Sequence, residues 1–143
     1  MVWSAQHGYS ILMDPHSSHR EIATKRARYQ QELQAAGYSM AGRVIPMVRN
    51  IALAKTEAKA RELAVSSAQF MFGSYLGNAP RPASSRDPVE QYVDDTVICG
   101  TPEAVIDQLQ HLEEQLPLKY LMCTPLGHES FVSFTEKVLP RFL

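Results

Sequence analysis

Chemistry in this sequence has to come from polar residues that interrupt or follow apolar runs, and they fall in three places. Asp14, His16 and His19 follow the apolar run 9–13; Arg49 and Asn50 interrupt the run 44–54; Thr124, Gly127 and His128 stand at and beyond the end of the run 118–124. A carboxylate, imidazoles, an amide and a hydroxyl supply hydrogen bonds or a proton relay. His16 and His19 are three apart with no third ligand nearby, which argues against a metal site. Cys99 and Cys123 lack metal-type spacing and read as two free thiols, packed as small hydrophobes in a reducing compartment. No nucleophile–base signature, phosphate-cradling loop or pair of carboxylates is present. The same residues also fit plainer roles: Asp14 in a turn, His19 at a helix start, His128 in a loop, Asn50 as a buried amide bonded to a neighbouring strand, and Arg49 paired at a layer edge.

The elements that would position these residues follow from periodicity and punctuation. Residues 2–7 read as the tail of a helix stopped by Gly8, and 9–13 as a short strand ending at Asp14-Pro15. Ser18 and Glu21 have the spacing of a capping box, opening a helix to about Ala36 with Ile22, Tyr29 and Leu33 on one face and Gly37 as its stop. Residues 44–54 form the second strand, with Pro46 making its start irregular. Thr56 opens a helix through Ala60, Leu63, Ala64 and Ala68. Residues 73–96 read as an irregular loop or insertion, with the prolines and serines of 78–88 as an exposed loop.

Gly100-Thr101-Pro102-Glu103 is a strong helix start, in which threonine caps and proline occupies the first turn, where its missing N–H costs nothing. Val105, Ile106, Leu109, Leu112 and Leu116 make its apolar stripe, closed by Pro117. The third strand spans 118–124, and a last helix spans 129–139 with Phe131, Phe134 and Val138 on one face. Strands alternating with helices imply a parallel sheet, and near-continuous apolar strands imply one buried on both faces. Adjacent strand residues face opposite ways, so Arg49 and Asn50 point to different sides of the sheet.

The chain has 143 residues, 45% hydrophobic and 20% charged, with a formal net charge of −1. This is the composition of an ordinary globular protein; nothing in it points to nucleic acid. No apolar run has the length of a membrane span, and residues 1–10 lack the basic start and apolar core of a signal peptide, so a cytoplasmic protein is expected.

Several segments are similar to luciferase-like, flavin-dependent monooxygenases of the bacterial luciferase family. They are Val97-Ile98-Cys99-Gly100-Thr101-Pro102-Glu103-Ala104-Val105, the strand 118–124, and the ending Phe134-Thr135-Glu136-Lys137-Val138-Leu139-Pro140-Arg141. Arg49-Asn50-Ile51-Ala52-Leu53-Ala54-Lys55-Thr56-Glu57-Ala58-Lys59-Ala60 also resembles a strand-to-helix passage of that family. A glycine often stands before the family's last strand, where this sequence has Gln115-Leu116-Pro117-Leu118.

The resemblance implies an α/β fold: a partial β/α (TIM-type) barrel, the C-terminal half, with about three parallel strands and flanking helices in a single domain over 1–143. The strands 9–13, 44–54 and 118–124 would be the last three of eight, with an apolar inner face. In such barrels the active site forms at the C-terminal strand ends. Asn50, His16 and His128 are then candidate catalytic residues, and Asp14, Thr124 and Gly127 candidate cofactor-binding residues, with no metal. The cofactor implied is FMN or a related flavin.

The family's phosphate-holding loop would precede Val2, and no Gly- or Ser-rich loop stands there. A barrel takes roughly 250 residues. The expectation is therefore a truncated luciferase-like monooxygenase domain that is not catalytically self-sufficient and binds no flavin tightly alone. The alternative is a non-catalytic assembly domain that dimerises or completes a partner's barrel.

Overall fold

The structure, a computed structural model, describes residues 1–76, 86–116 and 120–143. Its elements are α1 Val2–Gln6, α2 His19–Ala35, β1 Met47–Leu53, α3 Glu57–Met71, α4 Pro88–Thr96, β2 Ile98–Gly100, α5 Pro102–Gln115, β3 Leu121–Pro125 and α6 His128–Ser133. A π-helical turn, Phe72–Leu76, extends α3, and another, Phe134–Val138, extends α6 into a 3-10 turn, Leu139–Arg141.

The helix starts are where local chemistry places them. Ser18 accepts from the Glu21 N–H while the Glu21 carboxylate accepts from the Ser18 N–H, a complete capping box. Thr56 caps α3 through the Lys59 N–H, and Thr101 caps α5 through the Ala104 N–H. Gly8 follows α1 with φ of +72°, and a Cβ there would lie 2.8 Å from the Tyr38 ring.

The three strands form one parallel sheet in the order β2-β1-β3, the open α/β arrangement expected of a partial barrel. Ile51 pairs with Ile98 on one side, and Met47 to Ile51 pair with Leu121 to Pro125 on the other. The composition of this trio corrects the sequence reading. Residues 9–13 contribute a single bridge, Met13 to Met47, in place of a strand. Their ladder stops at one bond, from the Met13 N–H to the carbonyl of Pro46 just ahead of β1, 2.9 Å away. The third strand is instead β2, inside the Val-Ile-Cys-Gly segment ahead of α5. The strand read over 118–124 appears as Leu121–Pro125, and its start, 118–119, lies outside the described residues, as does Pro117.

Residues 73–96 are not irregular throughout. Asp87 caps α4 by accepting from the Val89 and Glu90 N–H groups, with Pro88 in the first turn. Tyr92, Val93 and Thr96 form its buried face. The proline- and serine-rich stretch 78–85 lies outside the described residues.

One face of the sheet is the core. Met47, Ile51 and Leu53 pack with Ile22, Tyr29 and Leu33 of α2, Val105, Leu109 and Leu112 of α5, and Phe134 and Val138. Burying such side chains contributes about 1.5–3 kcal/mol each. The opposite face is covered mainly at one end, where Ala52 packs with Ala64 and Ala68 of α3 and Tyr92 and Val93 of α4. On β3, Met122 is 43% exposed, and Thr124 is exposed beside half-buried Asn50. The sheet is therefore not buried on both faces: three strands do not close on themselves, so the face that closure would enclose remains accessible.

The last helix also differs in register. Phe131 is 55% exposed, and the buried stripe is Ser130, Phe134 and Val138. Ser130 takes the inward position because its hydroxyl bonds the end of β1, and the π-helical turn then carries Phe134 and Val138 onto the core.

Candidate functional site

The polar residues of the first run gather into a loop held by its own hydrogen bonds. Asp14 Oδ1 accepts from the N–H groups of His16 at 3.1 Å and Ser17 at 2.7 Å, and Oδ2 accepts from the Ser17 hydroxyl at 2.9 Å. Lys25 Nζ reaches Asp14 Oδ2 at 2.7 Å and also donates to the Ser17 hydroxyl. Partial burial would raise the Asp14 pKa, but the bonds from Lys25 and Ser17 outweigh it and hold the carboxyl down at about 2. Asp14 is thus a loop organiser, accepting bonds from the chain itself.

Arg49 ties this loop to the sheet. Its side chain is fully buried on the core side of β1. Nη2 donates to the Ser17 carbonyl at 2.8 Å, and Nη1 donates to the Val48 carbonyl at 2.9 Å and makes longer contacts, 3.4 and 3.5 Å, to those of Pro15 and Asp14. Burial pushes its pKa down to about 10, opposed by the nearby charge of Asp14. A guanidinium suits this role because its planar fork serves several carbonyls at once.

His19, the first residue of α2, is partly buried close to this charge. Burial, with Arg49 adding to it, lowers its pKa to about 4, against an opposing pull from Asp95. Among the described residues, its Nε2 and Arg49 Nε are both buried without a hydrogen-bond partner.

Across the sheet from Arg49, Asn50 projects onto the accessible face, so the two adjacent residues do face opposite ways. Asn50 is paired in register with Thr124, and its amide pulls the Tyr92 pKa down against the larger effect of burial. The Tyr92 hydroxyl lies 3.0 Å from His16 Nδ1. The Tyr92 ring is enclosed by the Phe72 ring, edge-on at 5.8 Å between centroids, and by Met71. Burial, with Arg49 opposing it, pushes the phenol up to about 12, so it stays a neutral O–H donor at physiological pH.

The fold thus brings His16, Asn50 and Thr124 to one end of the sheet, with Asp14 behind them. It sends Gly127 and His128 elsewhere. They line an open groove of about 900 Å³ between the end of β1, α3 and α6, bordered also by Lys55, Lys59 and Lys137. Tyr92, Ser17 and Lys25 were not singled out from the sequence. The start signal Asp87-Pro88, followed by apolar or aromatic residues at 89, 92 and 93, would have revealed α4 and with it Tyr92. Among the described residues, no group of three or more His, Cys, Asp and Glu could hold a metal ion. Nor is any helix there long and apolar enough to cross a membrane.

No family model and no curated protein matches the sequence. Solved structures do match, among them luciferase-like flavin-dependent monooxygenases; the likeness read from the sequence holds at the level of the fold. Monooxygenase RslO1 from Streptomyces bottropensis aligns with 99% of this chain at a TM-score of 0.67 and 17% identity. The oxygenating constituent of 3,6-diketocamphane monooxygenase from the CAM plasmid of Pseudomonas putida, a type II Baeyer–Villiger monooxygenase in complex with FMN, aligns with 99% at 0.68 and 15%. The coenzyme F420 dependent tetrahydromethanopterin reductase from Methanopyrus kandleri aligns with 100% at 0.68 and 15%. The chain spans 44%, 45% and 48% of those proteins, less than half of each.

Proposed function

We propose that this chain forms one part of a luciferase-like, flavin-dependent monooxygenase barrel, working in the cytoplasm, and is not catalytically self-sufficient as 143 residues. The supporting observation is its overlay, over 99% of its length, on 45% of an enzyme whose structure contains FMN. In a complete barrel the flavin would supply the oxygen chemistry, and the protein would bind, orient and shield it. His16, Asn50 and Thr124, at the accessible end of the sheet, would face the ligands, with Asp14 and Arg49 fixing the loop that carries His16. Gly127 and His128 belong to a separate groove and take a lesser place in this reading.

Fluorescence quenching of FMN by the purified chain tests self-sufficiency. No saturable quenching at micromolar protein is expected, and a micromolar or tighter Kd would overturn that part of the reading.

A second reading, a non-catalytic assembly domain, draws support from the accessible sheet face. Among the described residues β2 and β3 are edge strands, and Met122 of β3 is exposed. Unpaired edges and uncovered apolar surface favour association with a second copy or with a chain carrying further strands.

A further inference from the structure

We propose that Tyr92 is a positioning residue for His16, locking its neutral imidazole in the tautomer that carries the proton on Nε2 and so turning His16 into a hydrogen-bond donor toward a ligand carbonyl or oxyanion at the strand ends. The inference rests on the reading of those strand ends as the ligand face, and it adds a direction to the hydrogen bonds there.

The direction follows from what the Tyr92 hydroxyl can do. It has one proton to give. That proton needs an acceptor. Two are within reach: His16 Nδ1 at 3.0 Å and Met71 Sδ at 3.9 Å. A thioether sulfur is a weak acceptor and an imidazole nitrogen a strong one, so the proton points at Nδ1. A nitrogen that accepts carries no proton of its own, and in a neutral imidazole the proton then resides on Nε2.

His16 is held for this from both sides. Its backbone N–H is bonded to Asp14, and the carbonyls flanking it in the loop, of Pro15 and Ser17, are bonded by Arg49. The ring itself is exposed, and no described residue bonds its Nε2. An oriented donor at the edge of an accessible face suits an electron-rich oxygen.

Two-bond proton–nitrogen spectra of the nitrogen-15-labelled chain, taken at alkaline pH where imidazole is neutral, read the tautomer directly. Wild-type His16 should show the Nε2–H pattern alone. Tyr92→Phe should give the averaged pattern of a freely exchanging imidazole while its backbone spectrum stays dispersed. A mixed or Nδ1–H pattern in the wild type would overturn the proposal, as would a variant indistinguishable from wild type. Should the variant not fold, a through-hydrogen-bond coupling between the Tyr92 hydroxyl proton and His16 Nδ1 in the wild type decides: its presence supports the proposal and its absence overturns it. None of these readouts needs flavin, so they stand apart from the quenching experiment.

Discussion

The hydroxyl of Ser130 accepts from the Leu53 N–H at 3.0 Å and donates to the Ile51 carbonyl at 3.1 Å. It continues the ladder of β1 past the last β3 partner, Pro125, on the side where β3 has ended. Ser130→Ala should therefore cost about 1–3 kcal/mol, since it strands the buried Leu53 N–H. The Ile51 carbonyl keeps its bond from the Leu126 N–H. Urea denaturation checks this: the midpoint should fall with the slope unchanged.

Arg49 serves the carbonyls of a loop from a strand more than 30 residues away in sequence. Lysine at this position keeps the charge but loses the fork. Arg49→Lys should cost on the order of 2 kcal/mol, the penalty for leaving a buried carbonyl unpaired. It should also raise hydrogen exchange at the His16 and Ser17 amides, and unchanged exchange there would remove Arg49 from its role as the clamp.

His19 sets a pH dependence. Its folded pKa, about 4, lies below the ordinary histidine value of 6.5, so the unfolded chain binds the extra proton first as pH falls. The contribution of neutral His19 is complete above pH 6.5 and is lost between there and pH 4, on the order of 2–3 kcal/mol in all. Asp14, with its folded pKa near 2 against 3.8, adds a separate loss only below pH 3.8. Thermal melts across this range should show Tm falling from pH 6.5 to 4 in the wild type and a much flatter profile in His19→Gln.

Thr101 caps α5 through a bond of 3.4 Å to the Ala104 N–H. Thr101→Ala should cost about 1 kcal/mol or somewhat less, given that length. An unchanged thermal midpoint would mean that the Glu57 carboxylate, which accepts from the Thr101 N–H at 3.1 Å, suffices to hold this helix start.

Association through the sheet has a sharper test than strand membership alone provides. Leu121 and Cys123 turn toward the core, whereas Met122 faces outward. Met122→Asp should weaken self-association by at least tenfold, while Gln110→Asp, on the exposed side of α5, leaves it intact. Light scattering over a dilution series reads both. A wild-type chain that stays monomeric at micromolar concentration contradicts the second copy as partner.

Sequence alone determined the features whose partners lie three or four residues apart. The Ser18–Glu21 box, the caps at Thr56 and Thr101 and the stripe of Val105, Leu109 and Leu112 are local hydrogen bonds or one helical face, so periodicity and residue type specify them. The opposed directions of Arg49 and Asn50 follow from the strand period of two in the same way. Tertiary structure decided what depends on distant partners. Residues 9–13 and 98–100 are both short apolar runs, and only a full ladder against β1 makes the second a strand. Tyr92 meets His16 across 76 residues and Ser130 meets Leu53 across 77, pairings that no local pattern encodes. Asp14, His16, Asn50 and Thr124 were legible as polar breaks in apolar runs. Their division from Gly127 and His128 was not, because it depends on where α3 and α6 pack beyond the end of β1, a matter of three-dimensional contact and not of spacing along the chain.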